Sequence, residues 1–177
     1  MGLAYENLTA DVRALMVEEI QMAIADGSLY VSSYLSPRGR EDWSALLVEA
    51  AKNGNDDTLA AELKRFARIA ETTQRRKPSG GYTTARVPYT AAETMAEGEF
   101  NRFYCRGLCR FALSAGVEQL QAYRAKAVAE PRPGSEQKIG MLFNAKAILD
   151  DLRTSAGVEP TLGLPPGPNS GLTLRLP

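Results

Sequence analysis

The stretch from Leu162 to the C-terminus, LGLPPGPNSGLTLRLP, cannot be helical. Pro165, Pro166 and Pro168 remove backbone donors and fix φ, while Gly163, Gly167 and Gly171 favour turns. Leu172, Leu174 and Leu176 then alternate with polar residues, the period of an extended strand. Disordered tails are normally polar, whereas this one also carries Leu162 and Leu164. The composition predicts an extended arm over 159–177 that lies on protein, its own body or a neighbour's. Removing 163–177 is then expected to leave a folded, monomeric body over residues 1–158.

That body reads as mainly α: a compact bundle of about five helices with one or two short strand pairs. Val12, Leu15, Met16, Ile20, Ala23 and Ile24 recur at helical steps within 9–27, behind a Thr9 cap. Leu29 to Leu35 is a short β-prone stretch or a buried connector. Ser36-Pro37 opens a second helix with Trp43, Leu46, Leu47, Ala50 and Ala51 on one face. Asp56 or Asp57 caps a third, whose face runs Leu59, Leu63, Phe66, Ala67 and Ala70.

Residues 74–81, QRRKPSGG, form a basic, flexible break, and Tyr82 to Tyr89 reads as one arm of a small hairpin. Thr90 and Glu93 then have the spacing of a capping box. They open a helix with a dense stripe of Met95, Phe100, Phe103, Tyr104, Gly107, Leu108 and Phe111. This helix is expected at the centre of the core, since burying each large side chain is worth roughly 1.5–3 kcal/mol. Leu120 to Val128 reads as a strand. Asn144 caps a last short helix with Ile148, Leu149 and Leu152 inward.

Absent chemistry narrows the function classes. Histidine does not occur, which excludes a Ser-His-Asp triad, a Cys-His pair and His-based metal sites. The two cysteines cannot hold zinc alone. Twenty-one basic residues balance twenty-one acidic ones, so net charge exerts no pull toward nucleic acid or an anionic membrane. No apolar run approaches membrane-spanning length, and no secretion signal is expected. The sequence points to no cofactor, no metal site and no catalytic residue, and to a cytoplasmic or particle-bound setting.

Three clusters remain. Arg102, Arg106 and Arg110 form a basic ribbon on the central helix, either a charged contact surface or a solvated face paired with Glu97 and Glu99. Lys64, Arg68, Arg75, Arg76 and Lys77, with Arg65, form a second group that can hold a nucleic-acid backbone by charge or simply solubilise a helix end. Cys105 and Cys109 lie on one helix face near Arg102, which could lower a thiol pKa, but they read better as small buried hydrophobes. Arg132, between Pro131 and Pro133, stands in an extended connector.

The Glu97–Cys109 helix, the Arg132–Glu136 connector and the Gly163–Leu172 tail give the chain a layout that resembles small helical structural proteins of tailed bacteriophages, such as head–tail adaptors or minor virion components. The resemblance implies a helical body, a loop or hairpin and an arm that reaches a neighbouring subunit. It transfers no functional residue. The leading expectation is a non-enzymatic structural or assembly protein that docks on protein subunits through Leu162, Leu164, Leu172, Leu174 and Leu176. A nucleic-acid-binding or regulatory module using 64–77 and 102–110 is the alternative. An enzyme with an unfamiliar carboxylate or thiol site is the third reading; it needs a deep pocket lined by Asp, Glu or Cys with perturbed titration.

Overall fold

Gly107 sits where the first helix of the chain meets its longest one. A Cβ there would meet the Val12 carbonyl at 2.9 Å and Met16 Cγ at 2.7 Å. Only glycine permits that approach, and it brings α1 (Ala10–Ala25) flush against α4 (Ala91–Ser114). The computed structural model describes residues 2–129, 134–165 and 170–177. Residues 130–133, which include Arg132 and Pro133 of the connector, and residues 166–169 of the tail lie outside these residues.

Around α4 pack α1, α3 (Asp56–Leu63), α6 (Ala145–Thr154) and, more lightly, α2 (Pro37–Asn53). The fold is mainly α with two small antiparallel sheets. One is a hairpin of β1 (Thr72–Arg76) and β2 (Tyr82–Arg86). The other has the order β4-β3-β5, with β3 (Gln119–Arg124) between β4 (Leu142–Asn144) and β5 (Leu172–Arg175). A single turn, α5 (Ser135–Lys138), precedes β4. Trp43, Tyr104, Phe100, Phe103, Met16, Ile20 and Leu108 are the large side chains at the centre of the interior. The aromatic stripe of α4 is therefore the hub that its pattern predicts.

Several local expectations change. The cap of α3 is Asn55, whose side chain accepts from Thr58 N–H while Thr58 Oγ1 accepts from Asn55 N–H. Asp56 instead accepts from the Leu3 amide. The helix stops at Leu63 because the chain turns left-handed at Phe66 and Ala67 (φ 57° and 54°). Phe66 is thus 54% exposed, with the guanidinium groups of Arg38, Arg65 and Arg68 around its ring. Thr90 makes no capping hydrogen bond, because its backbone (φ −88°, ψ 5°) is not extended as a cap requires, and Glu93 pairs with Lys64 instead of reaching back. The caps expected at Thr9, Ser36 and Asn144 are present.

The leucine-bearing terminus is built into the chain's own sheet. Tyr123 faces Thr173 and Ala122 faces Leu174 in the β3–β5 register. Leu164, Leu172 and Leu174 are each 0% exposed, Leu176 packs partly buried on the core, and Leu162 is exposed. On its other side β5 meets polar groups of α4. Asn101 Nδ2 donates to the Leu172 carbonyl at 2.9 Å, and Tyr104 Oη donates to the Leu174 carbonyl at 3.1 Å. The N-terminal segment closes over the same region. Tyr123 Oη donates to the Ala4 carbonyl, the Tyr5 ring packs at a tilt against Phe100 and Tyr104, and the Leu176 amide donates to Asn7 Oδ1.

This arrangement reverses the expected outcome of truncation. Removing 163–177 strips three fully buried leucines, Leu164, Leu172 and Leu174, from the interior and leaves Asn101 and Tyr104 without these acceptors, so cooperative unfolding should be lost. The milder Leu174→Ala should lower stability by about 2–5 kcal/mol in urea denaturation.

Candidate functional site

The arginine ribbon of α4 faces inward. Expected as a charged contact surface, Arg102 and Arg106 are buried, and Arg110 is half-buried. The cause is Glu19 of α1, which has no exposure to solvent. Arg106 Nε donates to Glu19 Oε2 at 2.8 Å, and Arg153 of α6 reaches Oε2 and Oε1 at 3.1 and 2.5 Å. Arg110 stands 3.5 Å from Glu19 and pairs with Glu18 at 2.8 Å. Burial alone would push the Glu19 carboxyl up, but the hydrogen bonds from Arg153 and Arg106 outweigh it and hold the group below its ordinary value. The ribbon is a structural clasp joining α1, α4 and α6. Breaking a buried pair costs far more than the pair contributes when intact. Glu19→Gln should therefore lower stability by about 3–5 kcal/mol by thermal or chemical denaturation.

Arg102 has different partners. Its guanidinium donates to the carbonyls of Leu152 and Val158 and to Ser155 Oγ, fastening the end of α6 to α4. The cysteines are buried, as expected. Burial pushes the Cys105 thiol up to about 12 and raises Cys109 well above its usual range. Arg102 does not reverse this, and neither thiol is activated.

The second basic cluster divides. Arg68 is buried against Asp42 at 2.7 Å and Glu62 at 3.0 Å, and Lys64 is paired with Glu93. Arg75, Arg76 and Lys77 stand apart from them on the β1–β2 hairpin. Residues 74–84 are all exposed, with Gly80 and Gly81 at positive φ forming the tip. Directly opposed residues of an antiparallel pair share a face. The register Thr73↔Ala85 and Arg75↔Thr83 sets the face whose base is half-buried. The register Thr72↔Arg86, Gln74↔Thr84 and Arg76↔Tyr82 sets the outer face. Arg76, Tyr82 and Arg86 thus share one side of an ordered ribbon, and Tyr89 at its foot is 94% exposed. Among the described residues, Arg75, Arg76, Lys77 and Arg86 have no acidic side-chain partner. The sequence missed Arg86 and Tyr82 as members of this group because the pairing register that unites them is not local.

A cavity of about 320 Å³ opens between the α1–α2 connector, the N-terminal half of α4 and the segment after α6. Tyr30, Tyr34, Glu97, Glu99, Arg102 and Glu159 are among its walls. The connector is fixed by Trp43 Nε1 donating to the Tyr30 carbonyl and by the Ala70 amide donating to the Tyr34 carbonyl. Asp151 fixes the opposite wall by accepting from the amides of Thr161 and Leu162. Burial pushes the Glu99 carboxyl up to about 7, against the pull of Arg102 and Arg106. Its glutamates and the raised Glu99 carboxyl are the features that the third, enzymatic reading asks of a pocket, although neither cysteine lines it and no group of three Asp, Glu or Cys residues suited to a metal occurs among the described residues. Sequence reading missed this site because Tyr30, Glu99 and Val158 meet only through folding.

The folded chain keeps the Glu99 proton up to about 7, whereas an ordinary glutamate releases it near 4.5. The stabilisation from that proton is complete below the lower value and lost as pH rises through the upper one. Glu99→Gln should flatten the decline in melting temperature across that interval, as measured by calorimetry in buffers of matched ionic strength.

Comparison with known proteins gives no matching family model, no matching curated relative and no matching solved structure. No helix among the described residues is long and apolar enough to cross a membrane.

Proposed function

We propose that this protein is a non-enzymatic structural or assembly component, of the kind found in a phage virion or head–tail connection, and that it meets its neighbours through the β1–β2 hairpin. One observation carries this reading: the hairpin is an ordered ribbon whose four cations have no acidic partner among the described residues, whereas Lys64, Arg68, Arg106, Arg110 and Arg153 are all paired internally. An element that adds little to the interior, yet is held in register by a strand ladder and a Gln74–Thr84 side-chain bond, is suited to contact. The helical body and projecting hairpin agree with the likeness to phage adaptors, whereas the terminal segment departs from it by pairing within its own chain. The arm holds the body together in cis and supplies the platform from which the hairpin projects. The partner is an acidic protein surface, on a second copy or on another subunit of the particle.

The shared face of Arg76, Tyr82 and Arg86 favours a second reading, contact with nucleic acid. A basic ribbon with an aromatic side chain can follow a phosphate backbone and stack on a base.

Replacing residues 75–83 by a two-residue turn should leave the melting temperature nearly unchanged. Light scattering coupled to size exclusion should then find the shortened chain monomeric at concentrations where the intact chain associates. An intact chain that stays monomeric, or an assembly unaffected by the shortening, would count against the hairpin as the docking element. A gel shift at low salt decides the second reading: binding that is lost in an Arg75→Glu, Arg76→Glu, Lys77→Glu variant, with a salt slope falling by about one per phosphate contact removed, assigns the ribbon to nucleic acid.

A further inference from the structure

The cavity beside the α1–α2 connector shares no residue with the hairpin and has its own chemistry. Among the described residues, the carboxylates Glu97, Glu99 and Glu159 and the cation Arg102 line it. The terminal nitrogens of Arg102 already donate to Leu152, Ser155 and Val158, so this arginine serves the wall of the cavity and is poorly placed to receive an anion. Glu97 is paired with Lys126 at 2.8 Å. Glu99 differs from both. Its side chain is 10% exposed, and its cationic neighbour is Arg102 Nε at 4.0 Å, beyond hydrogen-bond reach. A carboxylate taken out of water needs a partner or a proton. The cavity beside it is the open place from which a partner can come.

The walls narrow the choice. Tyr30 and Tyr34 line the cavity, and aromatic faces attract cations, most strongly where water is scarce. The Tyr30 ring is set firmly, since a Cβ at Gly157 would lie 2.4 Å from it. A metal ion is a poor fit because the acidic residues do not converge as a ligand group among the described residues. A volume near 320 Å³ suits one side chain or a small organic molecule.

We infer that this cavity binds a single organic cation, an alkylammonium or guanidinium group, with Glu99 as its counter-ion and Tyr30 and Tyr34 as its walls. The group comes either from a free small amine or from a lysine or arginine side chain presented on a peptide. Binding replaces the missing partner of Glu99 and lets its carboxyl ionise. Affinity therefore rises with pH through neutrality; the other charged groups around Glu99 are Arg102 and Arg106 on its own helix and Glu159 on the facing segment.

The test is titration of the isotopically labelled full-length chain, followed by NMR at pH 8. The probes are N-acetyl-lysine methylamide and N-acetyl-arginine methylamide for the presented side chain, cadaverine and agmatine for the free amine, and N-acetyl-norleucine methylamide as the neutral control. The expected result is saturable shifts at the Gly98, Asn101 and Gly157 amides with a Kd of about 1 mM or tighter for at least one cation, and none for the norleucine compound. Glu99→Gln keeps the shape and removes the charge, and should weaken binding at least about tenfold. Thr94→Phe fills the cavity from a half-exposed wall and should block binding with Glu99 in place. Tighter binding of the capped residues assigns the source to a partner's side chain, and tighter binding of the free amines to a small molecule. Absence of saturation with every cation, equal binding of the norleucine compound, or full affinity in Glu99→Gln would overturn the inference. The hairpin variants leave this site intact, so either reading can fail without the other.

Discussion

A single carboxylate sealed from water organises the helices. Glu19 is tolerable in the interior only because Arg106 and Arg153 arrive from two other helices with hydrogen-bond geometry. That requirement fixes the rotation of α4 about its axis and the approach of α6. The Gly107 contact fixes how near α1 may come. Hydrophobic burial supplies the larger driving force but is indifferent to small rotations. The charge cluster is not indifferent, and it specifies which of the many ways of packing an aromatic stripe is used.

The two ends of the chain finish what this cluster begins. Asn101 and Tyr104 project from α4 toward a strand edge, and β5 supplies the carbonyls they need. The first residues then lie across β3 and α4, with Tyr123 bonded to Ala4 and Glu6 and Arg175 paired with Glu6. Sequence-distant segments thus share one polar seam. The seam gives Leu172–Arg175 a pairing edge and hydrogen-bond partners within its own chain.

How much of this could be read from residue order depends on the range of the interaction. The helical stripes at 10–25, 37–53 and 91–114 are local periodicities, and Thr9, Ser36 and Asn144 cap because their partners lie three residues away. The alternation of Leu172, Leu174 and Leu176 marked an extended segment, but which sheet it joined was a matter of tertiary pairing. The same limit misled the reading of Arg102 and Arg106: helical spacing placed them together correctly, and only the position of Glu19, eighty-seven residues from Arg106, turned that face inward. Phe66 failed for a backbone reason, a left-handed turn that no side-chain pattern announces. The cavity and the outer face of the hairpin were invisible because each assembles residues from separate elements.

The hairpin is inserted between α3 and α4 at a place where the interior ends. Its ladder is self-contained, and its tip touches nothing that the helices need. Its length, sign of charge and aromatic content can therefore be altered without disturbing the packing of the helices. A chain built in this way keeps the chemistry of its outer ribbon separate from the requirements of folding.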